Sequence, residues 1–518
     1  MRSILPRDFS NDLAASLVVF LVAMPLCLGI ALASGVPAGM GLISGIIGGI
    51  IVGALSGSPM QVTGPAAGLA VIVFGFVQEH GVAALGPVLL LAGLMQIVAG
   101  CLRMGSWFRL ISPAVVHGML TGIGVLIVLA QIHVLMGSTP SAGAVQNATA
   151  ITTSLGRVLD DHLTPQALTL IVGLASLLAM LGWERFRPRQ LRLLPGALIG
   201  VATGTLITLV AGLPIPRVEL PASILGNISL PSVDSFAGLL HPDALIAAVI
   251  IAVIASAETL LSAAAVDKLH DGPQTKMNKE LWAQGVGNSL CGLLGGLPIT
   301  GVIVRSSANV QAGARTRAST ILHGVWILAL VALAPQVLGL VPLTALAAVL
   351  LVTGWRLINL HHVRELFSHH GVFPAGIWAA TVVVILVEDL LIGVGVGLAL
   401  SLIEIAPVLR RRFGATSREG KDDAIDVNLH GAATCTRVPK LLSTLESLPA
   451  GRKVRLNAQR LRYIDHTSAE TLSDWVKRET RAGRAVEISA PSSPRVSKVL
   501  HRMGGDTTQP NLAQPDPT

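Results

Sequence analysis

Two ionisable side chains stand in stretches that are otherwise apolar: Glu258 in IASAETLLSAAAVD and Arg305 in LPITGVIVRSSAN. A carboxylate in such surroundings is suited to binding a proton or sodium ion, and an arginine to holding an anion. Ser262 follows Glu258 by four residues and shares its helical face. A static Glu258 to Arg305 salt bridge is the competing reading, and the two uses can alternate. Two stretches also interrupt the apolar pattern with Gly and Pro: SPMQVTGPAAGLAV, Ser58 to Val71, and GGLPITGVIVRSSANVQAGARTR, Gly295 to Arg317. Pro65 lacks an N–H and has φ preset for a first helical turn, so extended chain over 58–64 and a helix starting at Pro65 are expected. In the second stretch, extended chain through Pro298 gives way near Thr300 and Gly301 to a helix with Arg305 in its first turn or so. Each helix start offers unpaired N–H groups and about half a positive charge, which suits an anion. The plainer alternative is that these residues merely kink ordinary packed helices.

The elements that must position these groups follow from composition. Of 518 residues, 52% are hydrophobic and 13% charged, and the mean hydropathy of +0.69 lies outside the range of soluble globular chains. The chain therefore reads as an α-helical polytopic membrane protein. Windows long enough to cross about 30 Å of hydrocarbon are expected at 12–33, 37–56, 58–77, 84–102, 113–135, 166–182 and 193–211. A second set is expected at 240–264, 281–295, 297–313, 319–338, 341–358, 374–388 and 390–410. The first run is too long for a secretory signal. With both termini cytoplasmic, 18 of the 21 Lys and Arg before residue 413 fall on inner segments and only Arg157 and Arg217 on outer loops, a skew that fixes orientation. The two broken segments are then third and tenth, corresponding positions in two inverted repeats of seven, where transporter binding sites are built.

The remaining 16 Lys and Arg lie in the last 106 residues, which mark a separate soluble piece: a linker at 413–423, an α/β domain at 424–503 and a disordered tail at 504–518. In that domain VRLNAQRLRYID, SAETLSDWVKRETRAG and AVEISAP read as strand, helix and strand. Cys27, Cys101, Cys291 and Cys435 form no CxxC pair, so neither a disulfide framework nor a zinc site is expected. His361, His362, His369 and His370 lack a defined ligand spacing, and no metal or other cofactor is expected beyond a coupling proton or sodium ion. His117 and His133 read as polar helix contacts. No nucleophile, base and oxyanion-donor set is recognisable, which argues against an enzyme, and the charge of +8 is accounted for by inner loops rather than by nucleic acid.

QVTGPAAG, followed downstream by ETLLSAAAVDKL and GGLPITGVIVRSSANVQAGARTR and then by the basic tail, resembles the SulP sulfate-permease family of anion transporters over about Phe9 to Met503. The resemblance implies a fourteen-span inverted-repeat fold, with 1–412 as the transport domain, core and gate moving against each other, a homodimer, and a cytoplasmic STAS domain. It places an anion between Thr63, Gly64, Pro65, Ala66 and Ala67 on one side and Thr300, Gly301 and Val302 on the other, with Arg305 nearby. Glu258, with Ser262 and Thr300, matches the site tied to proton or sodium coupling; the equivalent acid in a cyanobacterial bicarbonate-transporting member is an Asp that helps bind sodium, and a Glu points toward protons. The wording MPLCLGIALASG and LPITGVIVRSSAN is most like bacterial members associated with carbonic anhydrase. The tail has Asp465, His466, Thr467 and Ser468 where STAS domains usually show Asp-Ser-Ser-Gly, which leaves phosphorylation of Thr467 in doubt.

The expectation is thus a secondary active transporter of bicarbonate or sulfate in a bacterial inner membrane, with a separate carbonic anhydrase or a STAS-binding cytosolic protein as its candidate partner. An uncoupled exchanger or channel on the same fold and a membrane-anchored STAS sensor are the alternatives.

Overall fold

The computed structural model describes residues 9–105, 113–141, 143–160, 164–191, 194–219, 242–267, 269–270, 272–358, 372–388, 390–409, 413–419, 424–433, 438–449, 452–464, 466–481 and 483–489. Its first half runs α1 (Phe9–Ala33), α2 (Ala38–Leu55), β1 (Thr63–Pro65), α3 (Ala67–His80), α4 (Leu85–Cys101), α5 (Pro113–Leu135), α6 (Ala144–Asp160), α7 (Pro165–Phe186) and α8 (Gly196–Val210). The second runs α9 (Pro242–Asp267), α10 (Met277–Leu294), β2 (Ile299–Gly301), α11 (Ile303–Gln311), α12 (Ala318–Leu333), α13 (Leu343–Leu357), α14 (Val372–Val387) and α15 (Leu390–Leu409). Each of the fourteen expected spans has a helical counterpart among the described residues. Among the described residues, six helices are long and apolar enough to cross a bilayer by themselves. The amphipathic α6 was not expected from sequence, because its Thr, Ser and Gln residues make it too polar to read as a span; its Asn147 carbonyl accepts from His133 Nε2 at 2.9 Å.

Local signals explain several boundaries. Thr164 Oγ1 accepts from the Ala167 N–H at 3.2 Å and Pro165 takes the first position of α7, the expected N-terminal chemistry. Gly295, at φ 72°, ends α10 in a left-handed turn. Helices α4 and α10 approach through Gly93 and Gly100 on one and Gly285 and Gly292 on the other; a Cβ at any of these would run into the facing backbone. Small residues repeated every seven positions are what membrane helices use to pack closely. In α2 the turns over Ile47–Val52 widen to π-helix, and there Gly48 lies against the Thr63 carbonyl and Gly49 against His323 and Gly324.

The broken segments depart from expectation in one respect. Helices were expected from Pro65 and near Thr300, yet α3 begins at Ala67 and α11 at Ile303. The intervening residues pair as an antiparallel ladder, Thr63 with Gly301, Gly64 with Thr300 and Pro65 with Ile299. Extended backbone away from water must be hydrogen-bonded, and each stretch supplies the partner that the other lacks, which neither reveals when read alone.

The C-terminal domain is a four-stranded sheet in the order β3 (Phe413–Glu419), β4 (Ile425–Ala433), β5 (Val454–Ile464), β6 (Val486–Ser489), with α16 (Val438–Glu446) and α17 (His466–Arg481) as crossovers. Strand β3 is antiparallel to β4, and the other pairs are parallel. Trp475, Leu441, Leu445 and Leu472 pack with Val427, Val454 and Leu456 in its core. The expected linker at 413–423 is therefore corrected: Phe413 and Ala415 are buried and belong to a strand of the sheet. Only the first three residues of β3 are buried before its exposed polar end, too short a pattern to recognise in sequence. Strand β5, α17 and β6 match the expected alternation. Thr467 falls in the first turn of α17, while Asp465, the tail from 490 onward and the four histidines between 361 and 370 lie outside the described residues.

Candidate functional site

The β1–β2 pair is a small, heavily hydrogen-bonded crossing. Outside the ladder, Val302 N donates to Val62 O at 2.9 Å and Val62 N to Ser306 Oγ at 2.8 Å. Gly301 N donates to Thr259 Oγ1 at 3.1 Å, and Gln61 Nε2 to Thr259 O at 2.9 Å. The Gln61 side chain occupies the space where a Cβ of Gly301 would stand, so a larger residue there would push Gln61 off the Thr259 carbonyl. On the β2 side, Asn288 Oδ1 accepts from Ile299 N at 2.8 Å, and Asn288 Nδ2 donates to Gln96 Oε1 at 2.8 Å. These amides on α4 and α10 pair with one another and with backbone, as polar groups in an apolar bundle must.

A second buried carboxylate fixes the approach to β1. Glu280, fully buried, accepts at Oε2 from Ser56 Oγ at 2.6 Å and from the N–H groups of Gly57 and Ser58 at 2.8 and 3.0 Å. Gln284 Nε2 bridges from Glu280 Oε1 at 3.3 Å to Thr63 Oγ1 at 2.9 Å. Sequence reading missed Glu280 because α10 begins four residues before the expected span, which placed this acid outside it. Glu280→Ala leaves the Gly57 N–H without its acceptor, while Ser56 Oγ and Ser58 N keep only their bonds within the turn, and is expected to cost about 2 kcal/mol, seen as a lowered thermal midpoint of the detergent-solubilised protein.

The candidate residues converge on this crossing. Thr63, Gly64 and Pro65 form β1, Ala66 caps α3 and Ala67 begins it; Thr300 and Gly301 lie in β2, Val302 caps α11, and Arg305 is its third residue. The two helix starts therefore issue from opposite ends of one short ladder, each with the unpaired N–H groups and partial positive charge of a first turn. Arg305 is 0% exposed, whereas its neighbours Ile303 and Val304 are 44% and 37% exposed. Its guanidinium turns back against the Cα of Gly64, where a Cβ would collide with Nη1. Nη1 donates to Cys27 Sγ at 3.5 Å, and Nε and Nη2 have no partner among the described residues.

Glu258 and Ser262 lie on α9, and Ser262 is buried. The Glu258 carboxylate rests against the first turn of α3: a Cβ at Gly68 would stand 2.7 Å from Oε1. Oε2 is buried without a hydrogen-bond partner, and so is the Thr300 hydroxyl of β2. No Glu258 to Arg305 salt bridge forms among the described residues, so the static pair left open by the sequence is not what the structure shows. Two uncommitted oxygens, Glu258 Oε2 and Thr300 Oγ1, suit a proton or a hard cation. Gly68, absent from the sequence candidates, sets this geometry: a side chain there would displace the Glu258 carboxylate.

Known proteins share this architecture. The model of the sulfate permease family matches residues 9–381, and that of an MlaB-type STAS domain matches 416–513. YvdB of Bacillus subtilis (strain 168), provisionally named a sulfate transporter, is 28% identical over 86% of this chain and 85% of its own length. The bicarbonate transporter BicA of Synechocystis (strain PCC 6803) is 26% identical over 66% of this chain and 60% of its own length. The solved transmembrane domain of a cyanobacterial BicA superposes with a TM-score of 0.65 at 24% identity, covering 76% of this chain and 98% of that domain.

Proposed function

Since the chain belongs to the sulfate permease family, we propose that it carries a small inorganic oxyanion, bicarbonate or sulfate, across a bacterial inner membrane together with a proton or sodium ion. The observation that carries this reading is the convergence of two helix starts on the β1–β2 pair, with Arg305 buried beside Gly64 and unpaired with any described carboxylate. Each helix start contributes about half a positive charge, so with Arg305 the site holds roughly two. An ionised Glu258 at the start of α3 reduces that to about one. Cation binding at Glu258 restores it, so cation and anion each strengthen the binding of the other, which is the linkage that coupling requires. Entry of one negative charge into a negative-inside cell costs about 2.3 kcal/mol per 100 mV, and a cotransported cation offsets it.

The anion is expected to sit between the two helix starts while core and gate rock around it, exposing the site to either side in turn. The uncommitted oxygens of Glu258 and Thr300 favour coupling over an uncoupled exchanger or channel. Proteoliposomes offered labelled bicarbonate and sulfate in turn test the carrier reading: saturable uptake of at least one is expected, and flux that rises without saturation would overturn it.

A further inference from the structure

The manner in which Arg305 is held carries a consequence for how the site reads charge, one that rests on the anion site proposed above. A fully buried arginine is normally paired with a carboxylate, because an uncompensated charge away from water is costly. Here Nη1 donates to the neutral thiol of Cys27, from α1, at 3.5 Å, Nε and Nη2 are buried without described partners, and the guanidinium lies against the bare Cα of Gly64. The two outward side chains beside it on α11, Ile303 and Val304, have no polar atoms. We propose that Cys27 and Gly64 are positioning residues that hold the Arg305 charge behind β1 without neutralising it, so that it acts on the anion through the strand as a field rather than as a fork of hydrogen bonds.

Two features of the geometry support this assignment. A thiol accepts only weakly and carries no charge when protonated, so it orients the guanidinium while leaving its field intact; an acid at position 27 would orient it and cancel the field. Gly64 provides the space, since any side chain there occupies the position of Nη1. A field acts in proportion to ligand charge, whereas a bidentate contact depends on ligand shape. The discrimination conferred by Arg305 is therefore between charges, not between planar and tetrahedral oxyanions.

The test uses the full chain in proteoliposomes, with KM and Vmax measured for the transported anion and inhibition constants for bicarbonate and sulfate as competitors. Cys27→Ser keeps a neutral acceptor and is expected to leave KM within about twofold. Cys27→Asp is expected to raise KM about tenfold with Vmax little changed, and to weaken inhibition by divalent sulfate by about the square of the factor for monovalent bicarbonate, since the lost field energy scales with charge. Gly64→Ala, which adds no charge, is expected to raise KM by a similar factor and decides the matter if Cys27→Asp does not fold. Wild-type KM in Cys27→Asp, or in Gly64→Ala where the former is not recovered, or equal losses for both anions, overturns the proposal. Arg305→Gln separates the two readings: if it raises KM while these variants do not, the anion site stands and only the positioning role fails.

Discussion

Glu258→Gln is expected to abolish accumulation of the anion against its gradient while leaving downhill exchange measurable. The side chain keeps its volume against Gly68, and Oε2 has no hydrogen-bond partner to lose, so the fold has little reason to suffer. What disappears is the ionisable group to which the proposed coupling assigns the proton or sodium ion. With one proton per anion, a gradient of one pH unit supplies about 1.4 kcal/mol, or roughly tenfold accumulation. Wild type should approach that ratio under a proton gradient, or its equivalent under sodium, and Glu258→Gln should remain at unity. Counterflow of labelled anion, which needs no driving cation, checks that the variant still binds and turns over.

Arg305→Gln is expected to raise KM about a hundredfold, equivalent to ~2.7 kcal/mol of lost anion attraction, and at the same time to leave the thermal midpoint unchanged or raised. The opposite signs follow from one fact. The guanidinium is fully buried and has no carboxylate to compensate it among the described residues, so in the empty protein it is a cost, which in the proposed site a bound anion would offset. Arg305→Lys keeps the charge but not the planar fork that lies along Gly64, and should fall between. Uptake kinetics and thermal unfolding of the same preparations give both readings, and a variant that lost stability along with affinity would indicate a structural arginine instead.

Much of the scaffold was legible because its signals are local. Apolar runs and Gly/Pro interruptions require only neighbouring residues, and they located the helices and both broken segments, although the helix starts lie two or three residues beyond Pro65 and Thr300. The β1–β2 ladder was not legible, because the hydrogen-bonding needs of Thr63–Pro65 are met by residues more than two hundred positions away. The same holds for Glu280, whose partners at Ser56, Gly57 and Ser58 arrive from another helix end, and for Gly68, whose importance lies in what its missing side chain leaves room for. Arg305 was identified by its charge, but its direction, inward against Gly64 and Cys27 while Ile303 and Val304 face out, depends on the register of α11 after the ladder. The linker expected at 413–423 failed for a related reason, since β3 shows its strand character only beside β4.

The central claim, that one site couples an oxyanion to a cation, is tested most directly by accumulation of labelled anion in proteoliposomes under an imposed inward proton or sodium gradient at fixed membrane potential. The account predicts a transient internal concentration above equilibrium under one of the two gradients in wild type, and none in Glu258→Gln. Uptake in wild type that stops at equilibrium whichever cation gradient is imposed would contradict it.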